Sequence, residues 1–165
     1  MGEGVAVEAP TFEAYVAAHG RALWRTAWLL TGDAHRAEDL VQTALLKCWR
    51  RWDRIATDAS VDGYVRRSMV TTYTDWRRRK WAGEIPSWPL PDAPESNADL
   101  MVRHDVLSAL AQLPRRQRAV IILRFYDDLT ERETADALNI SVGTVKSQTA
   151  RALATLRSSK LLEDS

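Results

Sequence analysis

One cysteine stands in 165 residues, Cys48, so no intrachain disulfide forms and no cysteine-rich zinc site exists. The histidines, His19, His35 and His104, are scattered without metal-ligand spacing. No phosphate-cradling Gly-rich loop or nucleophile motif is present. These lacks argue against an enzyme and imply no metal and no cofactor. No long uncharged apolar run occurs, which excludes a transmembrane helix. The opening MGEGVAVEAP is acidic and lacks a signal-peptide pattern. A reducing, cytoplasmic setting fits. Nor does one charge prevail: 23 Lys and Arg against 22 Asp and Glu leave a formal +1. Any attraction to nucleic acid must come from where the charge sits. β-branched alternation is lacking as well, and apolar residues recur at three and four, so the chain reads as all-α.

What is present divides in two. Residues 82–99, AGEIPSWPLPDAPESNAD, hold Pro86, Pro89, Pro91 and Pro94 with Glu84, Asp92, Glu95 and Asp99, and no base. Such a stretch cannot be a helix or a central strand. It reads as an extended Pro-rich acidic linker. Two small helical domains result, over residues 10–81 and 100–161. The chain holds seven tryptophans, most of them expected in the core.

In the first domain Phe12, Tyr15, Val16, Leu23, Ala27 and Leu30 mark an opening helix that stops near Thr31-Gly32. Asp33 caps the next, whose buried stripe is Ala37, Val41, Ala44, Leu45, Cys48 and Trp52. Cys48 on that stripe reads as a small buried hydrophobe. Asp39, Gln42, Leu46 and Arg50 lie opposite, with Trp49 at the margin. An apolar Leu46 on a polar face fits a partner surface or a scattered exposed leucine. A third helix is expected over Asp62–Trp81, with Val65, Met69, Thr72, Tyr73 and Trp76 inward and Arg67, Thr71, Thr74 and Arg78 outward. Arg66, Arg67, Arg77, Arg78, Arg79 and Lys80 against Asp62 and Asp75 give it 6 − 2, or +4. Bases interleaved with Tyr and Trp suit unwound nucleic acid, while cations at a helix C-terminus are also stabilising in themselves.

The second domain opens with a helix over Leu100–Leu113, with Val102, Val106, Leu110 and Leu113 inward. Pro114 starts RRQRAVIILRFYDD, a helix apolar at its centre. Leu129–Leu156 then reads as a helix-turn-helix. Thr130 and Glu133 form a capping box, Asn139 and Ile140 the break, and Ser141 the next N-cap. On the last helix Val142, Val145, Thr149, Ala152, Leu153 and Leu156 share one face. Thr144, Ser147, Ala150 and Arg151 lie opposite, flanked by Lys146 and Gln148. That thin basic face suits a DNA major groove, though amphipathic helix pairs are common.

Taken in order, DAHRAEDLVQTALLKCWRRW, GYVRRSMVTTYTDWRRRKW, a Pro-rich linker and LPRRQRAVIILRFYDDLTERETADALNISVGTVKSQTARALATLR resemble an extracytoplasmic-function (ECF) RNA polymerase sigma factor. More narrowly they resemble the actinobacterial subgroup labelled "SigE family". The resemblance implies a sigma-2 domain over 10–81 and a sigma-4 domain with the helix-turn-helix over 100–161. It implies binding to core RNA polymerase (β′ clamp helices and β flap), promoter recognition and DNA opening. The implied polymerase-binding residues are Asp39, Leu40, Gln42, Thr43 and Leu46. The loop from Arg54 through Asp58 to Val61 matches the family's specificity loop, which takes a flipped −10 base. Arg67, Thr71, Asp75 and Arg78 on the next helix would contact the same element. For the −35 element the implied readers are Thr144, Lys146, Ser147, Gln148 and Arg151. Relatives often have Asn at Thr71 and Arg at Gln148. Gln, which also appears in this subgroup, can bond an adenine edge where Arg favours guanine, so these two departures leave the preferred bases unassigned. Many relatives also have an anti-sigma partner, which would have to mask the faces around Asp39 and Ser147.

Two other classes compete. A stand-alone regulator would read an operator with the helix-turn-helix and dimerise through the first domain. A nucleic-acid enzyme would need the catalytic constellation that is missing.

Overall fold

A computed structural model describes residues 9–57, 61–76 and 105–158 of the chain. The linker over 82–99, the basic run 77–80, Asp58 and His104 lie outside the described residues. All regular structure described is helical: α1 Phe12–Thr31, α2 Ala34–Trp49, α3 Trp52–Ile55, α4 Val61–Asp75, α5 over 105–111, α6 Arg115–Ile121, a π-helical turn Ile122–Tyr126, α7 Glu131–Leu138 and α8 Val142–Arg157.

The helix ends follow from local chemistry. Thr11 accepts the Ala14 amide at the start of α1, and Gly32 ends it at φ 71, a left-handed conformation that costs glycine nothing. Asp33 caps α2 through the Arg36 amide. Thr130 and Glu133 form the complete capping box of α7, and Ser141 caps α8. Asn139 makes the break between them at φ 54, a conformation Asn tolerates better than most side chains.

The stretch after Pro114 departs from the expected single α-helix. Ile121, Ile122 and Leu123 are all buried. Consecutive α-helical residues point about 100° apart, so three in a row exceed one narrow face. The π-helical turn widens the spiral there, and the Asp127 amide reaches back to the Ile122 carbonyl at 3.0 Å. Phe125 and Tyr126 emerge exposed on its far side. Val106, expected inward, is instead 43% exposed. The burial of α5 comes from Leu110 and from Leu113 just beyond it.

Helices α1, α2 and α4 make one packed unit, and α6, α7 and α8 another. The two close on each other. Val70 of α4 packs with Leu123 and Ala137, in a cluster whose other members all come from the second unit. The larger core likewise runs from Leu30 and Leu45 to Leu113, Ile122 and Ala152. Polar bonds cross the seam. Arg118 donates to the Leu30 carbonyl at 3.0 Å, and Arg115 donates to the Tyr73 carbonyl at 3.3 Å while its guanidinium lies 4.7 Å from the Tyr73 ring centre. Thr26 donates to Asp127 Oδ1 at 2.8 Å, and Arg66 donates to the Asp127 carbonyl oxygen at 3.3 Å.

Asp127 makes this seam pH-sensitive. Burial pushes its carboxyl above the usual range, with Arg66 and the Thr26 hydroxyl pulling the other way. A raised folded-state pKa means that the folded chain binds the proton more tightly than the unfolded chain. Stability from this group is therefore in place below the ordinary Asp value and is lost as pH rises through the raised one. Asp127→Asn keeps an acceptor for Thr26 and removes the titration. Its urea midpoint is expected to exceed wild type most near neutrality, the gap closing towards acid. A gap that does not change with pH would remove Asp127 from this role.

Candidate nucleic-acid interface

The last helix presents the face expected of a groove reader. Val145 and Ala152 are fully buried, and Val142, Leu153 and Leu156 are partly buried beside them. Lys146, Ser147, Ala150 and Arg151 are exposed on the other side, and Thr144 and Gln148 are half-buried at its edges. Thr144 is held by Ser141, whose hydroxyl oxygen accepts the Thr144 amide at 3.0 Å. Ser147 donates to the Thr144 carbonyl at 3.0 Å. Lys146 lies 3.9 Å from Glu131, an exposed pair of little energetic weight that leaves the amine available. Among the described residues no acid of α8 opposes this face.

A second polar face lies on α4. Arg67, Thr71, Thr74 and Asp75 are exposed along it, while Val65, Met69, Thr72 and Tyr73 are buried behind. Between α4 and the end of α2 runs a cleft of about 470 Å³ lined by Lys47, Arg50, Arg51, Tyr64, Arg67 and Thr71. It has four cations and no carboxylate. Of the residues expected at the −10 element, the cleft joins Arg67 and Thr71. Arg54 stands exposed beyond the α2–α3 corner, and Asp58 and Arg78 are outside the described residues. Lys47, Arg50, Arg51 and Tyr64 were not anticipated as a group. The sequence signal was an Arg-Arg pair one helical turn after a lysine, masked by its position on a helix read for its core stripe.

The outward face of α2 is narrower than expected. Leu40 is 0% exposed and Gln42 3%, so neither offers a surface to a partner. The reason is packing on two sides, by α1 and by α4, which widens the buried arc beyond a single stripe. Asp39, Thr43 and Leu46 remain half-buried. Asp39 lines a cavity of about 380 Å³ with Arg36, Trp76, Arg115 and Arg118, at the seam between the two units.

Most of the described tryptophans lie in or against the core, as expected. Among the described ones Trp52 is buried, Trp24, Trp28 and Trp76 are partly buried against the core, and Trp49 is 53% exposed. Cys48 is fully buried, and burial pushes its thiol up to about 11, which makes it a poor nucleophile. His19 stacks on Tyr15 at 4.6 Å, a structural use. Among the described residues no cluster of His, Cys, Asp and Glu could hold a metal ion, and no helix is long and apolar enough to cross a membrane.

These two faces coincide with two known modules. Residues 15–83 match the family model "Sigma-70 region 2" and residues 103–156 match "Sigma-70, region 4". The chain is 44% identical over 151 residues to the RNA polymerase sigma-E factor of Streptomyces avermitilis, covering 88% of this chain and 83% of that protein. This chain belongs to the ECF sigma factor family. Its likeness to the sigma-E factor of Streptomyces coelicolor is 41% over 158 residues, covering 93% of this chain and 88% of that one. A solved structure of the sigma factor RpoE with the anti-sigma factor NepR, from Bartonella quintana, shares the fold at a TM-score of 0.67 and 23% identity, over 92% of this chain and 96% of that chain. As a sigma factor the chain is not an enzyme. It binds core RNA polymerase and directs transcription initiation. Helices α1, α2 and α4 belong to region 2, and α6, α7 and α8 to region 4.

Proposed function

We propose that region 2 of this sigma factor binds the β′ clamp helices through Asp39, Thr43 and Leu46, and captures the unpaired −10 strand on the α4 face. Arg67, Thr71 and Asp75 lie along that face, with Arg54 beyond the corner, and the sequence adds Asp58 and Arg78. Region 4 reads the −35 element as duplex with Thr144, Lys146, Ser147, Gln148 and Arg151, and its exposed Phe125 and Tyr126 suit the β flap. Domain limits at 10–81 and 100–161 and a cytoplasmic location, where polymerase is met, complete the reading. The observation that carries it is the pairing of two basic faces on one chain, one shaped for a groove and one a cleft. Capturing unstacked bases offsets a cost of about a few kcal/mol per flipped base. Each anchor alone is weak, and joining them through polymerase raises their effective concentration.

The closed arrangement has a consequence for this role. A globule of the size of the described part has a radius of gyration of about 14 Å, hence a diameter of about 35 Å. Elements centred roughly 25 base pairs apart lie about 85 Å apart along B-DNA. One closed body cannot reach both, so reading a promoter requires the region 2–region 4 seam to part.

Run-off transcription with purified bacterial core polymerase on a randomised promoter library tests the whole reading. Chain-dependent transcripts sharing spaced −35 and −10 motifs are expected. Tight operator-like duplex binding without polymerase, and no transcripts, would favour a stand-alone regulator. Within that assay Arg151→Ala is expected to weaken −35-dependent output by about 1–3 kcal/mol equivalent. Output unchanged across promoters of graded −35 strength would take Arg151 out of base reading. An anti-sigma protein acting on this chain would have to cover the faces at Asp39 and Ser147, and a native pull-down returning polymerase alone would argue against one.

A further inference from the structure

Trp49 has no task in the fold. It closes α2 at 53% exposure, and among the described residues its ring makes no aromatic contact and its indole N–H meets no acceptor. Its neighbour Trp52 is the opposite case. Trp52 is buried, donates from its indole nitrogen to the Pro10 carbonyl at 3.0 Å, and packs edge-on to Phe12 at 5.4 Å. Tyr15 adds a tilted contact at 5.5 Å. This aromatic cluster ties the start of α1 to the α2–α3 corner. It gives a rigid floor to an open groove of about 940 Å³, on whose rim Trp49, Arg50, Arg51 and Arg54 stand. Glu13 and Asp53 also line it, against three arginines.

The groove is not isolated. Arg50 and Arg51 also line the cationic cleft between α2 and α4. The two depressions therefore adjoin at the two arginines, with Thr71, Arg67 and exposed Tyr64 on one side and Trp49 and Arg54 on the other. Cations along a track with aromatic faces between them suit a single nucleic-acid strand: charge follows the phosphates and rings stack on bases. A tryptophan face takes any base, so a position reached here is held without being read.

We propose that this groove is a second single-strand subsite, in which Trp49 stacks on a base of the melted promoter strand next to the bases held on α4. The phosphates on either side meet Arg50, Arg51 and Arg54. The subsite rests on the reading of α4 as the −10 face. It would hold the strand open without adding sequence specificity. A place for Trp49 in the polymerase contact is the competing assignment, since Leu46 lies one turn earlier on α2.

The test uses holoenzyme assembled from core polymerase and the full chain, with fork-junction DNA carrying a promoter recovered from the run-off selection. The single-stranded arm ends either at the −10 element or several nucleotides beyond it. Trp49→Ala is expected to lower affinity for the long-arm fork roughly 5- to 150-fold, whatever the added bases, and to leave the short-arm fork unchanged. Trp49→Phe should recover most of the loss. Equal affinity of wild type and Trp49→Ala for the long arm overturns the subsite, and loss of core co-elution in Trp49→Ala overturns it in favour of a polymerase contact. Arg67→Ala on the short arm is the separate control. If that variant binds as wild type does, the α4 reading fails on its own account, whatever Trp49 shows.

Discussion

With arginine in place of Asp39, the chain is expected to elute apart from core polymerase while keeping its helical content. Asp39 stands on the half-exposed side of α2, one turn before Thr43 and two before Leu46. The buried stripe Ala37, Val41, Ala44, Leu45 and Cys48 is untouched by the change, so the helix keeps its packing. Reversing a charge inside a partner surface costs about 2–5 kcal/mol, or roughly 30-fold and upward in affinity. The local field of the closed chain works the other way, by loosening the seam, so the expected loss is net of that gain. Asp39 shares a cavity with Arg36, Arg115 and Arg118, so arginine there leaves four cations and no carboxylate. Asp39→Asn separates the two contributions, because it removes the charge without adding a cation. An intermediate loss is expected for it. Co-elution of Asp39→Arg at wild-type strength would move the polymerase contact off this side of α2.

Much of this architecture is legible in the residues alone, for reasons that differ by element. Caps are local: Thr130 and Glu133, Ser141, Asp33 and Gly32 each act within one turn, so spacing alone locates them. The outer face of α8 is legible because only Val145 and Ala152 of that helix are buried, leaving Lys146, Ser147 and Arg151 outside. Where a helix packs on two sides the single-stripe reading is too narrow. It placed Gln42 outside, and the family resemblance added Leu40 to the partner surface, but α1 and α4 bury both. Trp49 falls at the margin of the outward face by helical spacing alone, and Trp52 three residues on serves the core in its place. The π-helical turn announces itself only as an apolar run, Val120 to Leu123, too long for one α-helical face. The seam is the least legible feature. Arg115 and Arg118 bond to backbone carbonyls of another unit, and any residue supplies a carbonyl. Val70 gave a faint signal, as an apolar residue beside Met69 and off the main stripe.

Val70→Asp is expected to part the two regions while each stays folded. Val70 is 0% exposed, and its cluster partners Leu123 and Ala137 both lie across the seam. The main stripe of α4, through Val65, Met69 and Tyr73, keeps its packing on α2 when the second region's share of the larger core, Leu113, Ile122 and Ala152, moves away. An uncompensated carboxylate at this spot costs about 3–5 kcal/mol in the closed form and nothing comparable once water reaches it. The penalty therefore shifts the balance toward the open chain by roughly 150- to 5000-fold. Small-angle scattering should show the radius of gyration rising above the wild-type value, with helical content preserved. Asp39 makes opening matter for function. It belongs both to the cavity under Arg115 and Arg118 and to the proposed polymerase face, so parting the seam uncovers it. Core polymerase should then bind Val70→Asp more tightly than wild type, because binding no longer has to part the seam first. Val70→Ala should show the same trend more weakly, through lost packing alone. A variant that loses helix and cooperativity together at unchanged radius would mean that the two regions fold as one indivisible unit.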